Sequence, residues 1–146
     1  MKPIRAQFGS LLAADSKGMK KHPKIPTHGE IKVGYATKLI IVLARRLGIP
    51  PASMAIRIGV SRSTFHRKLR GHALLTEHES DSLARHSSLL SQAVTVFDGD
   101  EEAAKQWLSC PQVGLGNAVP LDLAQTSFGY REAEKLLTRI DHGAYA

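Results

Sequence analysis

Apolar residues recur at helical spacing from about residue 30 onward. Val33, Ala36, Ile40, Leu43 and Leu47 fall at steps of three and four, the interval that places side chains on one face of an α-helix. This predicts a helix over 30–47. Gly48 is its expected C-cap, and Pro50 and Pro51 end it and allow another to begin. A short helix is expected over 52–58, followed by Gly59-Val60 and then Ser61. Serine oxygen accepts an orphan backbone N–H at a helix start, so Ser61 begins a further helix that Gly71 ends. Within it Phe65 and Leu69 face one way. Arg62, Ser63, His66, Arg67 and Arg70 share the opposite face.

Thr76-Glu77-His78-Glu79 has the form of a capping box, with Thr76 as N-cap and Glu79 reaching back. A long helix to about Phe97 should follow. Leu83, Leu90, Val94 and Phe97 form one stripe, and Leu89, Ala93 and Val96 widen it. If the chain dimerises, this helix is the first candidate for the interface. Asp98-Gly99-Asp100 is a turn and a new start, and 101–108 reads as a helix that buries Trp107 and Leu108. Residues 109–119 form a Gly- and Ser-containing loop broken by Pro111. Pro120 opens a short helix through Leu121 and Leu123. The last helix is expected over 130–142, apolar at Ala133, Leu136, Leu137 and Ile140, with Gly143 as C-cap. No strand and no internal repeat emerges, so the expected fold class is all-α.

Residues 1–29 keep no helical period beyond one turn's worth around 8–14. They hold Pro3, Pro23, Pro26, Gly9, Gly18 and Gly29 and the basic run Lys17, Lys20, Lys21 and Lys24. They read as a basic flexible arm, either clamping DNA or simply solvated. The expected division is an arm over 1–29, a helix-turn-helix domain with a linking helix over 30–97, and a small C-terminal domain over 98–146.

Charge sharpens the picture. The 146 residues carry a net +7. Residues 1–72 hold 15 Lys and Arg against 2 Asp and Glu, net +13, and residues 73–146 hold 5 against 11, net −6. A basic half facing a polyanion is the favoured reading, and an intramolecular match between the halves is the alternative. The basic helix is preceded by a short helix and a glycine turn, the sequence picture of a helix-turn-helix. The competing reading is an exposed helix of an ordinary bundle. In a helix-turn-helix the second helix enters the major groove with its N-terminal residues at base edges. Arg62, Ser63, His66 and Arg67 suit that role, since arginine pairs bidentately with guanine and serine donates or accepts. Thr64, Lys68 and Arg70 suit phosphate, which sets register rather than sequence, and Ser61 is expected among the DNA-binding residues.

Other chemistry finds little support. Seven histidines and one cysteine offer no paired-Cys or HExxH spacing, so no metal is expected. Cys110 reads as a packed small residue, and Asp98, Asp100, Glu101 and Glu102 read as N-terminal helix charge. Gly114 and Gly116 lack the preceding strand and the lysine of a phosphate loop. No cofactor and no enzymatic activity are expected. Apolar runs such as 39–44 fall well short of the about 20 residues that span a bilayer. With no signal-peptide core and no second cysteine, a cytoplasmic protein without membrane contact is expected.

The stretch EEAAKQWLSCPQVGLGNAVPLDLAQTSFGYREAEKLLTRIDHGAYA resembles the C-terminal domain of the Xre/MbcA/ParS-type antitoxins. Their pattern is a helix ending Trp-Leu, a loop, Pro-Leu-Asp-Leu, a Thr, a Gly, and a final helix ending Arg-Ile-x-x-Gly. Here those residues are Trp107, Leu108, Pro120, Leu121, Asp122, Leu123, Thr126, Gly129, Arg139, Ile140 and Gly143. SRSTFHRKL followed by LTEHESDSLARHSSLLSQAVTVF is similar to the family's Xre-like DNA-binding segment and linking helix. The resemblance covers about residues 30–146. It departs at Ala118-Val119, where glycine or a charged residue is frequent, and at Ala124, where leucine is common.

The resemblance implies a toxin inhibitor and repressor, normally dimeric. Its partners would be a RES-domain toxin that consumes NAD, whose NAD pocket it covers, and operator DNA of its own operon. The family motif residues Trp107, Leu108, Leu121, Leu123 and Ile140 are expected to build the small core, with Asp122 capping the short helix. Toxin contacts are expected by position at Arg139, Asp141, His142, Gly143, Tyr145 and Ala146. An acidic half would suit the basic pocket of such a toxin. A stand-alone regulator with a dimerising or ligand-sensing second half is the runner-up, and an enzyme ranks last.

Overall fold

The computed structural model describes residues 34–143. Among the described residues seven α-helices follow in order: α1 (Leu39–Leu47), α2 (Pro51–Arg57), α3 (Arg62–Arg70), α4 (Glu77–Val96), α5 (Glu101–Ser109), α6 (Pro120–Leu123) and α7 (Ser127–Asp141). A 3-10 turn, Val113–Leu115, lies between α5 and α6. Among the described residues, β pairing amounts to two isolated bridges, Ala36 with Leu74 and Gln112 with Ala118. The all-α class is therefore the observed one. The arm 1–29, Val33, Tyr145 and Ala146 lie outside the described residues.

Local signals placed most helix ends. Gly48 closes α1 in the left-handed region, at φ 70°. Ser61 Oγ accepts the Thr64 N–H at 3.2 Å, and both bonds of the capping box at Thr76 and Glu79 form. Asp100 accepts from the Ala103 N–H at 3.0 Å to start α5.

Two ends differ from expectation. α1 begins at Leu39 rather than at 30. Tyr35 and Ala36 are held out of the helix by distant partners, and Thr37 and Lys38 form a turn. Tyr35 N–H donates to Ser80 Oγ at 3.0 Å, Leu75 N–H donates to the Tyr35 carbonyl at 2.8 Å, and Thr37 Oγ1 donates to the Ala73 carbonyl at 2.8 Å. α7 begins at Ser127 rather than at 130, because Thr126 Oγ1 accepts the Gly129 N–H at 3.0 Å and serves as N-cap. His142 is its C-cap, and Gly143 follows at φ 66°.

Helix α4 is the central post, packed on α1, α5 and α7. Between residues 82 and 90 every residue except Arg85 is buried. The apolar stripe seen in the sequence covers only part of this surface. Ser80, Ser82, His86, Ser87 and Ser88 are buried as well. A helix segment covered on all sides within its own chain belongs to the core, so the middle of α4 is interior, while Glu77, His78, Asp81 and Thr95 nearer its ends are exposed. One continuous core runs through Ile40 and Leu43 of α1, Met54 of α2, Phe65 of α3, Leu83 and Leu90 of α4, Leu108 of α5, Leu121 of α6 and Leu137 of α7. The two charge halves thus share one interior. No single helix among the described residues is long and apolar enough to cross a membrane, and the apolar pair α1 and α2 is bent by 106°.

Candidate nucleic-acid interface and partner-binding face

The α2–turn–α3 unit is built on buried anchors. Met54 and Ala55 of α2, Ile58 and Val60 of the turn and Phe65 of α3 are all at most 2% exposed. Between them Gly59 takes φ 91°, a conformation that costs glycine little. The Val60 N–H donates to the Ala55 carbonyl at 2.9 Å and closes the turn. With Ile58, Val60 and Phe65 pointing inward, the outer surface of α3 is fixed. Ser61, Arg62, Ser63, His66, Arg67 and Arg70 are exposed on it. No acidic side chain among the described residues pairs with Arg62, Arg67 or Arg70. This is a cationic helix face free to meet an anion.

Ser61 and Lys68, two of the expected contacts, are otherwise engaged. Ser61 Oγ donates to Oγ1 of the half-buried Thr64 at 2.9 Å and accepts the Thr64 N–H. Lys68 Nζ lies 2.7 Å from Glu79 Oε2, with both side chains largely covered. Lys68 therefore pins α3 to the capping box of α4. Burial works against the Glu79 carboxylate. Hydrogen bonds from Lys68 and the Thr76 N–H prevail, however, and hold its pKa below the ordinary 4.5.

The second half is assembled around α6. Pro120 occupies its first turn and Leu121 is buried. The fully buried His86 ring bridges two carbonyls, with Nδ1 2.8 Å from Ser82 O and Nε2 3.0 Å from Leu121 O. A neutral ring donates to only one of them. Burial outweighs both carbonyls and holds the His86 pKa below 6.5, and the charges of Arg85 and Arg57 act in the same direction. Arg85 donates through Nε to Ala124 O at 3.2 Å and through Nη2 to Gln125 O at 3.0 Å. These bonds satisfy carbonyls at the end of α6 that no helix turn reaches. Asp122 does not cap α6, contrary to expectation: no side chain caps that helix, and Asp122 Oδ1 lies 3.3 Å from Arg57 Nε of α2.

A polar cluster joins α4 to α7. The Tyr130 hydroxyl donates to Glu134 Oε1 at 3.1 Å, accepts from Gln92 Nε2 at 2.9 Å and lies 3.0 Å from Ser88 Oγ. Burial, helped by the Glu134 carboxylate, raises the Tyr130 pKa above 10.0. The sequence reading missed His86, Arg85 and Tyr130. Their partners lie 35 to 42 positions away, beyond any periodic signal.

Among the described residues, three ion pairs cross between the halves: Arg46 with Glu101 at 2.9 Å, Arg57 with Asp122, and Lys68 with Glu79. Part of the charge asymmetry is therefore an internal match, and the acidity of the second half is not wholly on offer to a partner. At the end of α7, Arg139, Asp141, His142 and Gly143 are exposed. Arg139 and His142 share a face by helical spacing, and Asp141 points elsewhere. No group of three or more His, Cys, Asp or Glu that could hold a metal occurs among the described residues, and Cys110 is exposed rather than packed.

Residues 27–85 match the antitoxin Xre-like helix-turn-helix domain, and residues 92–143 match the antitoxin Xre/MbcA/ParS C-terminal toxin-binding domain. Three curated relatives bear the name antitoxin Xre. The Yersinia enterocolitica protein is 30% identical over 116 residues, covering 80% of this chain and 78% of that one. The Photorhabdus laumondii protein is 33% identical over 85 residues, covering 58% and 57%. The Pseudomonas putida protein is 28% identical over 116 residues, covering 80% and 71%. The basic helix-turn-helix and the helical unit braced against it are thus the two domains of an antitoxin, and the chain belongs to the Xre/MbcA/ParS-type antitoxin family.

Proposed function

We propose that this chain neutralises a RES-domain, NAD-consuming toxin by occluding its NAD pocket, and that it represses its own operon through α3. The observation that carries the reading is the unpaired cationic face of α3, held in one core with a toxin-binding domain. Arg62, Ser63, His66 and Arg67 would read bases, with Thr64 and Arg70 toward phosphate and Ser61 as the N-cap that sets the start of α3 at the DNA. Lys68 would act indirectly by fixing the angle of α3. The segment from Arg139 through Asp141, His142, Gly143 and Tyr145 to Ala146 would reach the pocket. The working division is an arm over 1–29, a DNA-binding unit over 30–97 and a toxin-binding unit over 98–146. The protein would work in the cytoplasm as a homodimer within the toxin complex, without catalysis of its own.

Co-expression with the toxin encoded beside it tests this. Growth and cellular NAD should recover with the full chain. Deleting 141–146 should restore toxicity while operator binding persists. A full chain that rescues neither growth nor NAD would overturn the inhibitor reading and leave a stand-alone regulator.

A further inference from the structure

The toxin-binding domain matched over 92–143 leaves open which of its surfaces receives the toxin. Its inner surfaces are occupied. α7 buries Gly129, Tyr130, Ala133, Leu136 and Leu137 against α4 and α6. The opposite face of α7 has an unusual composition. Phe128, Arg131, Lys135 and Arg139 recur at steps of three and four, and all four are exposed. Phe128 is 69% exposed, unusual for the largest apolar side chain on a helix with a complete buried face. Three of the five Lys and Arg residues of the acidic half fall on this one stripe.

Arg131 and Arg139 have no acidic partner among the described residues. Glu132 lies 2.9 Å from Lys135, with side chains 40% and 69% exposed, a pair that water largely screens. Glu134 turns to the Tyr130 hydroxyl. A shallow groove of about 520 Å³ lies along this helix, lined by Lys135, Thr138 and Arg139 with Glu132 and Glu134. The 3-10 turn carrying Val113, 79% exposed, packs against the same helix.

We propose that the outer face of α7 is the toxin's docking surface, with Phe128 as apolar anchor and Arg131, Lys135 and Arg139 as its cationic track. The toxin surface that fits it is acidic, with an apolar recess for one aromatic ring. An aromatic anchor flanked by arginines is the composition in which binding energy concentrates. The cations set orientation and rate of encounter. The proposal rests on the antitoxin reading and adds to it a body contact at Phe128, Arg131 and Lys135 that meets the chain's last residues at Arg139. It also reverses the sign expected from net charge, since the acidic half meets its partner through a basic face.

The test uses the full chain and the toxin encoded beside it, with binding measured by surface plasmon resonance. R131E/K135E/R139E should weaken binding at least about 100-fold, and Phe128→Ser about 10-fold. Wild-type binding should weaken as NaCl rises, and the triple variant should lose that dependence. The single change Lys135→Glu, at a highly exposed side chain, keeps the test valid if the triple variant unfolds. It should cost a few-fold. Melting temperature and operator binding should stay at wild-type values in the soluble variants. Toxin binding unchanged in the variants overturns the docking surface while leaving the antitoxin reading intact. Loss of operator binding instead assigns the stripe to DNA and overturns it too. Absence of toxin binding by the wild type overturns both.

Discussion

Arg57 Nε of α2 lies 3.3 Å from Asp122 Oδ1 of α6, so the first helix of the helix-turn-helix is paired directly with the Pro-Leu-Asp-Leu segment of the toxin-binding domain. The Nε atom is buried and makes no hydrogen bond, so the pair is purely electrostatic. Asp122 is half-exposed, which limits its worth. Asp122→Ala should cost about 1 kcal/mol, measured by urea unfolding, since Arg57 is left without its counter-charge. A double-mutant cycle with Arg57→Ala should return a coupling of about 0.5–1 kcal/mol. Additive effects would mean the two domains do not communicate through this pair.

Arg62 and Lys68 sit on one helix but should respond differently. Arg62→Ala or Arg67→Ala should lower operator affinity by about 1–3 kcal/mol if each reads a base, with stability unchanged. Lys68→Ala should instead lower the melting temperature, because it removes the partner of the partly buried Glu79. Mobility-shift titrations at several salt concentrations, alongside thermal melts, separate the two. An unchanged affinity in the arginine variants would remove α3 from the groove.

His86 makes the fold sensitive to acid. Its pKa is held below 6.5 in the folded chain, mainly by burial, so the unfolded chain binds a proton more readily. The stability from a neutral His86 is present above pH 6.5 and is lost as pH falls from there through the folded pKa. Glu79, also depressed, adds a second loss as pH falls from about 4.5. Urea midpoints should therefore drop between pH 7.5 and 5.5 in the wild type. In His86→Gln that step should flatten, although the variant is weaker at pH 7.5. An undiminished pH step in His86→Gln would point to another group.

Gly129 shows a constraint set by approach rather than by backbone angle. A Cβ placed there would lie 2.1 Å from the Leu123 carbonyl oxygen, so the first turn of α7 must separate from α6. Gly129→Ala should cost about 1–3 kcal/mol by overpacking. Thr126→Ala removes only the cap and should cost about 1 kcal/mol. Equal effects in calorimetry would contradict the close approach.

Several features of this chain were legible in the amino-acid order alone. Ser61, Thr76 with Glu79, Asp100 and Gly48 each act on backbone groups within about four residues, so helix ends there follow from local chemistry. The cationic face of α3 was equally readable, because helical spacing places Phe65 inside and Arg62, Arg67 and Arg70 outside. The motif residues Trp107, Leu121 and Gly129 carried the family. Other features required the folded chain. The extended stretch at Tyr35 and Ala36, the buried serines and His86 of α4, and the ion pairs of Arg57 and Lys68 all depend on partners brought in from elsewhere. Sequence by itself thus determined most of the helices and caps and the basic outer surface of α3. Tertiary structure decided that Lys68 and Asp122 are struts between helices, that the middle of α4 is core, and that Arg131 and Arg139 of α7 remain open. Helix periodicity and capping are short-range interactions. Which charges are matched and which face solvent depends on packing between residues tens of positions apart.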